Sequence, residues 1–99
     1  MKTNGTSNFT TAPKFNPGRF FATPGALQEI PPAEMAYAMY RHLRGDWGNV
    51  DKVDWKENEL GLEEGFRLFS VYRTKAGTKF WIITEADRSA TTVLLPNEY

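Results

Sequence analysis

Two spacings of apolar residues, one helical and one strand-like, divide the chain into a helical part and a β part. Met35, Met39 and Leu43 recur at intervals of four residues, as they do on one face of a helix. Pro32 suits the first turn of this helix, because a proline there gives up no intrahelical hydrogen bond. From Phe66 onward the period changes to two, as along a strand, with residues 66, 68, 70 and 72 on one face and 67, 69, 71 and 73 on the other. The pattern therefore predicts helices first and a β-sheet in the last third of the chain.

A short helix before this stripe and a longer one after it are predicted from start and stop signals. Thr23 followed by a proline is typical of a helix start, and the next Pro-Pro pair keeps that helix short. A third helix is predicted over 54–64. Asp51 or Asp54 is its expected cap, and Gly65 is its expected stop.

The alternating part predicts three strands joined by turns. Residues 66–73 alternate, and 75–77 supply a hairpin turn that contains a glycine. The strand at 79–84 is the most apolar, which places it at the centre of the sheet. A third strand is predicted at 91–95, and 18–23 is a candidate fourth strand. The predicted fold class is α+β, with two layers: a three- or four-stranded antiparallel β-meander covered by two or three helices.

Length and composition indicate one small domain. The chain has 99 residues, which is enough for one domain and too few for two. Residues 1–17 are rich in Asn, Thr, Ser, Gly and Pro. We therefore expect a flexible N-terminal tail over 1–17 and a single α+β domain over 18–99. Phe9 or Phe15 is the expected contact if part of the tail docks on the domain.

The composition excludes several kinds of chemistry. The chain has no cysteine, which excludes disulfides, thiolate metal sites and cysteine nucleophiles. Its single histidine excludes a multi-histidine metal site within one chain. We expect no catalytic residue, no cofactor and no metal. No apolar run approaches the ~18 residues of a membrane span, and the N-terminus lacks the apolar centre of a signal peptide. The expected location is the cytoplasm.

The segment that follows the apolar helix contains the first candidate residues. His42 and Asp46 would lie close on a continuous helix, where the carboxylate could orient the imidazole as a general base. Gly45 is expected to end the helix between them. The favoured interpretation is that His42 packs at the helix end or bonds a backbone carbonyl. Trp47 is either an exposed interface anchor or a side chain folded back over the core.

The polar loop over 85–89 is the second candidate for binding a partner. Loops between strands often carry binding residues. The alternative is a structural turn in which Asp87 bonds backbone amides and Arg88 pairs with the carboxylate of Glu85 or of Asp46. The candidate partner-binding residues are Asp46, Trp47, Glu85, Asp87, Arg88 and Ser89.

One face of the first meander strand is a candidate nucleic-acid surface. Arg67, Phe69 and Arg73 share this face, and basic residues interleaved with aromatic ones bind single strands on open sheets. The alternative is a solvated sheet face. The balance of 12 basic and 12 acidic residues favours this alternative, because dedicated nucleic-acid binders carry a basic excess.

Five short stretches within residues 19–99 together carry a resemblance to a known family. They are Ala22–Leu27, Arg41-His42 with Gly45–Gly48, Ser70–Tyr72, Ile83–Thr92 and Leu94–Tyr99. In this combination the chain resembles a family of small bacterial proteins found on plasmids, prophages and integrated elements. Its members are labelled hypothetical or plasmid-related, and some are labelled "type I restriction endonuclease subunit M".

The resemblance implies a mobile-element setting and carries over no catalytic residue. A modification subunit needs a methyl-donor pocket on a doubly wound α/β domain, for which this chain has no room. The predicted function is that of a small non-catalytic accessory protein of a mobile genetic element. We expect it to act by binding a macromolecular partner, a protein, with a link to host defence. The alternative is a nucleic-acid-binding module, and an unpaired meander edge also leaves a homodimer open.

Overall fold

The structure, a computed structural model, describes residues 12–99. These residues form an α+β fold in which three helices pack with one four-stranded sheet, and the predicted fold class is confirmed. The elements in chain order are β1 (Arg19–Ala22), α1 (Pro24–Glu29), α2 (Pro32–Leu43), α3 (Lys52–Glu64), β2 (Leu68–Arg73), β3 (Lys79–Thr84), β4 (Ala90–Leu94) and a 3₁₀ turn at Pro96–Glu98.

The helix ends form where the capping residues predict them. Thr23 caps α1, because its hydroxyl accepts a hydrogen bond from the Ala26 amide at 3.2 Å. Asp51 caps α3 by accepting from the Asp54 amide at 2.8 Å. Gly65 ends α3 in the left-handed region, with φ of 81°, which a glycine adopts without steric cost.

The sheet has the strand order β1-β4-β3-β2. The antiparallel β2–β3 and β3–β4 pairs confirm the predicted meander with the 79–84 strand inside the sheet. The fourth strand, β1, corrects the expectation of a wholly antiparallel sheet, because it pairs in parallel with β4. All three helices and two strands lie between β1 and β4 in the chain. No hairpin fixes the direction of β1, and a connection of this length permits parallel pairing.

Alternation along the strands gives the sheet two distinct faces. Helices α1 and α2 pack on the first, the helix-covered face, where the core forms around residues such as Phe80 and Ile82. The second face, called the groove face, carries a groove beside α3. The helix-covered face consists of Leu68, Ser70, Tyr72, Phe80, Ile82, Thr84, Thr91 and Val93; the groove face includes Phe69, Val71, Trp81, Ile83 and Leu94.

The buried side of α2 differs from the predicted stripe. Met35, Met39 and Leu43 are only partly buried, and the centre of the contact is Ala38, 4% exposed, with His42, which is fully buried. Ala38 belongs to the same buried core cluster as Tyr72, Phe80 and Ile82 of the sheet. The apolar spacing identified the helix correctly and misplaced the centre of its buried face.

The outer edge of β2 is closed by side-chain and loop hydrogen bonds. Asn58 of α3 mimics a strand: its amide donates to the Phe69 carbonyl at 2.6 Å and accepts from the Phe69 amide at 3.0 Å. The Val71 amide donates to the Trp47 carbonyl, and the Asn49 amide donates to the Val71 carbonyl. These contacts hold α3 along the edge of the sheet, which positions one wall of the groove.

Part of the predicted tail lies against the domain. Residues 1–11, and with them Phe9, lie outside the described residues. Phe15 contacts the rings of His42 and Trp47, with centroids 5.5 and 6.4 Å apart. The Lys14 amide donates to the Leu43 carbonyl at 2.8 Å. Docking through Phe15 is therefore confirmed, and the division of the chain at residue 17 stays a prediction.

Candidate partner-binding groove

Trp47 lies in the interior, with an exposed fraction of 0%. Its indole N–H donates to a Glu59 carboxylate oxygen at 2.8 Å, and its ring meets His42 edge-on at a centroid distance of 5.5 Å. The alternative that it folds over the core is confirmed. Trp47 therefore offers no exposed ring to a partner.

Asp46 pairs with Arg41 and not with His42. The Arg41 Nε–H donates to Asp46 Oδ2 at 2.8 Å, and the Gly48 amide donates to Asp46 Oδ1. The hydrogen bond from Arg41 lowers the pKa of Asp46 below its ordinary value. The candidate His42–Asp46 base pair is not formed, because the helix ends between the two residues.

His42 belongs to a buried chain of hydrogen bonds on the helix-covered face. Its Nδ1 lies 2.6 Å from the Ser70 hydroxyl, and its Nε2 lies 2.9 Å from the Thr84 hydroxyl. The Thr84 hydroxyl lies 2.7 Å from that of Thr91, which donates to the Pro17 carbonyl. The expectation of a backbone-carbonyl partner for His42 is replaced by two side-chain hydroxyls.

The Pro17 carbonyl sets the direction of this chain, because a carbonyl can only accept. Thr91 uses its proton on Pro17, so Thr84 donates to Thr91. Thr84 then accepts from His42 Nε2–H, and Ser70 donates to Nδ1. Burial lowers the pKa of His42 to about 3, and the positive charge of Arg88 adds to the shift. His42 is thus a neutral, fully satisfied core residue.

The 85–89 loop forms a turn that Arg88 ties to the rest of the molecule. Arg88 adopts φ of 61°, and its guanidinium donates to the carbonyls of Phe66 at 2.7 Å and Gly61 at 2.8 Å. It also donates to the carbonyls of Glu85 and Ala86. The predicted pairing of Arg88 with a carboxylate is not formed, because these backbone oxygens take up its donors.

The remaining loop residues support the turn from within. The Ser89 amide donates to Asp87 Oδ1 at 2.9 Å, which is the predicted bond to a backbone amide. Hydrogen bonds from Ser89 lower the pKa of Asp87. Glu85, Asp87 and Ser89 are exposed and close together in the loop, whereas Asp46 and Trp47 belong to another part of the molecule. The six candidate partner-binding residues therefore do not form one surface.

The three residues of the candidate nucleic-acid face do not lie in one site. Arg67 and Phe69 line the groove beside α3. Arg73, at the far end of β2, donates to the Gly77 carbonyl at the hairpin. Arg73 lies six positions after Arg67 along an extended segment, which corresponds to roughly 20 Å. Arg67 and Phe69 thus share a site, and Arg73 lies outside it.

The groove of about 400 Å³ beside α3, called the aromatic groove, is the site that the structure assembles from distant residues. The Trp81 ring stands nearly perpendicular to that of Phe69, with a centroid distance of 5.1 Å and an angle of 82°. It also meets Tyr99 edge-on at 5.7 Å. Trp81 is half-buried and Tyr99 is 69% exposed. Aromatic side chains therefore line the groove face where a solvated sheet would carry polar ones.

The two walls of the aromatic groove carry opposite charges. Asp54 and Glu57 of α3 line one wall, and neither carboxylate has an ion-pair partner within residues 12–99. On the other wall Arg67 lies over the Tyr99 ring, 5.5 Å from its centroid, and donates to its hydroxyl at 2.5 Å. Residues 51–64 contain six carboxylates and two lysines, so the α3 wall lies on an acidic helix.

A second depression, of about 550 Å³, lies between α2 and the β2–β3 hairpin, and the chain fills part of it with its own arginine. The Arg41 guanidinium lies 5.9 Å from the Tyr37 ring centroid and 4.8 Å from that of Tyr72. Asp46 neutralises it across 2.8 Å. The charged and aromatic groups of this depression that could bind a partner are therefore already paired with one another.

Sequence reasoning missed the centre of the aromatic groove. The sequence predicted no binding role for Trp81 or Tyr99. The available signal was the odd-numbered face of the meander, where Phe69 pairs with Ile83 and Trp81 with Val71, so that the two rings are diagonal neighbours on an apolar face. Nothing in the sequence places the α3 wall beside that face.

Two structural features are absent from the described residues. No helix in residues 12–99 is long and apolar enough to cross a membrane. In the same residues, no group of three or more histidine, aspartate or glutamate side chains is arranged to hold a metal ion.

Comparisons with protein-family models, with curated proteins and with solved structures find no match to this chain.

Proposed function

We propose that this chain is a non-catalytic protein-binding module, an accessory protein of a mobile genetic element that holds its protein partner in the aromatic groove. The observation that carries the proposal is Trp81, a half-buried tryptophan on an inner strand whose ring contacts Phe69 and Tyr99 at the bottom of a groove. The mobile-element setting comes from the family resemblance alone.

The composition of the groove favours a protein partner. Tryptophan, tyrosine and arginine dominate the binding energy of protein interfaces, and they act best in partly enclosed pockets. Trp81, Tyr99 and Arg67 supply these residue types within one groove. Tyr99 contacts both Trp81 and Arg67, which fixes their orientation before a partner arrives and lowers the entropy cost of binding.

The charge of the groove disfavours nucleic acid. Stacking of bases on Phe69 and Trp81 is chemically reasonable, but Asp54 and Glu57 would face the phosphates of a bound strand. Arg67 is the basic residue of the groove, and it is already engaged with Tyr99. Arg73 lies too far along β2 to compensate.

The experiment is affinity capture from a bacterial extract with three purified proteins: the wild type, Trp81→Ala and Trp55→Ala. Trp55 is the matched control, because it is a 37% exposed tryptophan on α3 outside the groove. Each capture is run with and without nuclease, and each variant is first checked for an unchanged fold by circular dichroism.

We expect one protein to be retained by the wild type and by Trp55→Ala, lost with Trp81→Ala, and unaffected by nuclease. Direct binding between the two purified proteins then confirms that the contact needs no third component. Capture that depends on intact nucleic acid would replace the proposal with its alternative. A partner that Trp81→Ala retains at wild-type level would refute the role of the groove.

A further inference from the structure

We infer that the aromatic groove recognises the guanidinium group of an arginine on the partner. This inference rests on the proposed function and adds the chemistry of the bound side chain. It starts from what the groove presents: the rings of Phe69, Trp81 and Tyr99, and on its α3 wall two carboxylates that no cation of the described residues pairs with.

The chain contains a filled site built from the same parts. In the depression beside α2, Arg41 lies over the rings of Tyr37 and Tyr72 and bonds the Asp46 carboxylate. That arrangement satisfies a guanidinium in two ways, because its flat face packs on rings while its edge donates to a carboxylate. The aromatic groove repeats the rings and the carboxylates, and its α3 wall has no arginine of its own.

Charge complementarity selects a cation for this wall. Asp54 and Glu57 project from a helix with a formal charge of −4 over residues 51–64. An anionic or phosphate-bearing group would be repelled there, and a neutral apolar side chain would leave both carboxylates unpaired in a partly desolvated groove. Arg67 lies over Tyr99, so an incoming cation has its place between the α3 wall and the rings of Phe69 and Trp81.

A guanidinium fits better than an ammonium. Its planar shape matches the perpendicular rings, since one face can lie on Trp81 while its N–H groups reach the wall. Six arginine–aromatic contacts already occur within the described residues, including those of Arg19, Arg44 and Arg88, which shows how readily this fold accommodates the pairing.

The test uses N-acetyl-arginine methylamide as the probe and its neutral isostere, N-acetyl-citrulline methylamide, as the control. Citrulline has the same length and a planar urea group, and it lacks the charge. Both are titrated against ¹⁵N-labelled full-length protein, and the indole N–H signals of Trp47, Trp55 and Trp81 are followed by NMR. The Asp54→Asn, Glu57→Gln double variant removes both charges of the wall and retains its shape.

We expect the arginine probe to shift the Trp81 signal while those of Trp47 and Trp55 stay in place, and the citrulline probe to bind at least about tenfold more weakly. The double variant should bind the arginine probe about tenfold more weakly than the wild type does, and its affinity for the citrulline probe should be unchanged. Equal binding of the two probes, or an arginine shift that the double variant retains in full, would overturn the inference.

Failure of the arginine assignment can be distinguished from failure of the proposed function. If neither probe perturbs Trp81 but Trp81→Ala still abolishes partner capture, the proposed function stands and the arginine assignment fails. If the double variant captures the partner normally, the assignment fails in the same way. If Trp81→Ala leaves capture intact, the proposed function fails, whatever the probes show.

Discussion

The two faces of the sheet deal with polar and aromatic side chains in opposite ways. On the helix-covered face a histidine and three hydroxyl residues are completely buried, and their hydrogen bonds run in one direction to the Pro17 carbonyl. On the groove face the aromatic rings of Trp81 and Tyr99 remain accessible, beside carboxylates that have no ion-pair partner among residues 12–99. One face thus buries polar groups with their partners, and the other leaves two aromatic rings accessible.

This inversion indicates what each face contributes. Buried polar groups that are fully satisfied specify one packing arrangement, and their loss is expensive because each leaves an unpaired partner. Aromatic rings left accessible gain little for folding, and they become favourable only when something covers them. We therefore assign stability to the helix-covered face and binding to the groove face, and each prediction below separates the two.

The largest effect should follow from removing His42. His42→Ala leaves the Ser70 and Thr84 hydroxyls without their partner and opens a cavity in the core. We expect a loss of about 3 kcal/mol or more in the free energy of unfolding, measured by urea denaturation. Trp81→Ala, on the groove face, should cost about 1–2 kcal/mol, because its side chain is already partly solvated. Equal losses in the two variants would contradict the division between the faces.

The pH dependence of stability should also trace to His42. Its pKa of about 3 in the folded protein lies below the ordinary value near 6.5. Between these values the unfolded chain binds a proton that the folded one does not. Stability is therefore complete above pH 6.5 and falls as the pH decreases, by about 1.4 kcal/mol per pH unit.

The control for this prediction is His42→Gln, which keeps hydrogen-bonding capacity and cannot titrate. The pKa values of Asp46, Asp87 and Glu98 are also lowered, so the stability that these carboxylates contribute also decreases toward acid pH. That decrease is the same in the wild type and in His42→Gln. The difference between the two urea-denaturation series over pH 7 to pH 4.5 therefore isolates the histidine. Parallel curves would show that the imidazole is solvated or charged in the folded state.

A smaller effect is expected for Arg88, which ties the 85–89 turn to the Phe66 carbonyl and to the Gly61 carbonyl of α3. Arg88→Lys retains the charge and loses the fork that reaches the Gly61 and Phe66 carbonyls together. We expect a loss of about 1–2 kcal/mol by urea denaturation. The matched control is Arg67→Lys on the groove face, whose side chain is exposed and should change stability by less than about 0.5 kcal/mol. A larger loss for Arg67→Lys would reverse the assignment.

The smallest effect on stability should come from the α3 wall. The Asp54→Asn, Glu57→Gln variant removes two charges without ion-pair partners in the described residues, so we expect a change below about 0.5 kcal/mol. Thermal unfolding at two salt concentrations measures it. A strong destabilisation would mean that these carboxylates serve the fold and are not held available for a ligand.

The sequence predicted the elements better than it predicted their relations. Thr23, Asp51 and Gly65 mark helix ends because capping depends on local hydrogen bonds. The alternation from Leu68 to Arg73 predicted the two sheet faces for the same local reason. The parallel direction of β1 could not be predicted from the sequence, since it depends on where a long connection returns to the sheet.

The sites were less predictable because they depend on tertiary packing. For Trp47 and Arg88 the sequence left a partner-binding and a structural interpretation open, and both side chains are engaged internally. Phe69 and Arg67 were identified on the correct face, but as part of a basic surface that extends to Arg73. The acidic wall comes from α3, whose position depends on the hydrogen bonds of Asn58 to the β2 edge. An asparagine within a helix does not reveal, from the sequence, which strand edge it will bond.

The central claim is that the groove face exists to bind a protein. The most direct measurement is the dissociation constant of the captured partner, in purified form, for the wild type, Trp81→Ala and Trp55→Ala, with all three proteins folded under the conditions used. We predict that binding weakens by about tenfold or more in Trp81→Ala and by less than about twofold in Trp55→Ala. Equal affinities for wild type and Trp81→Ala would contradict the claim.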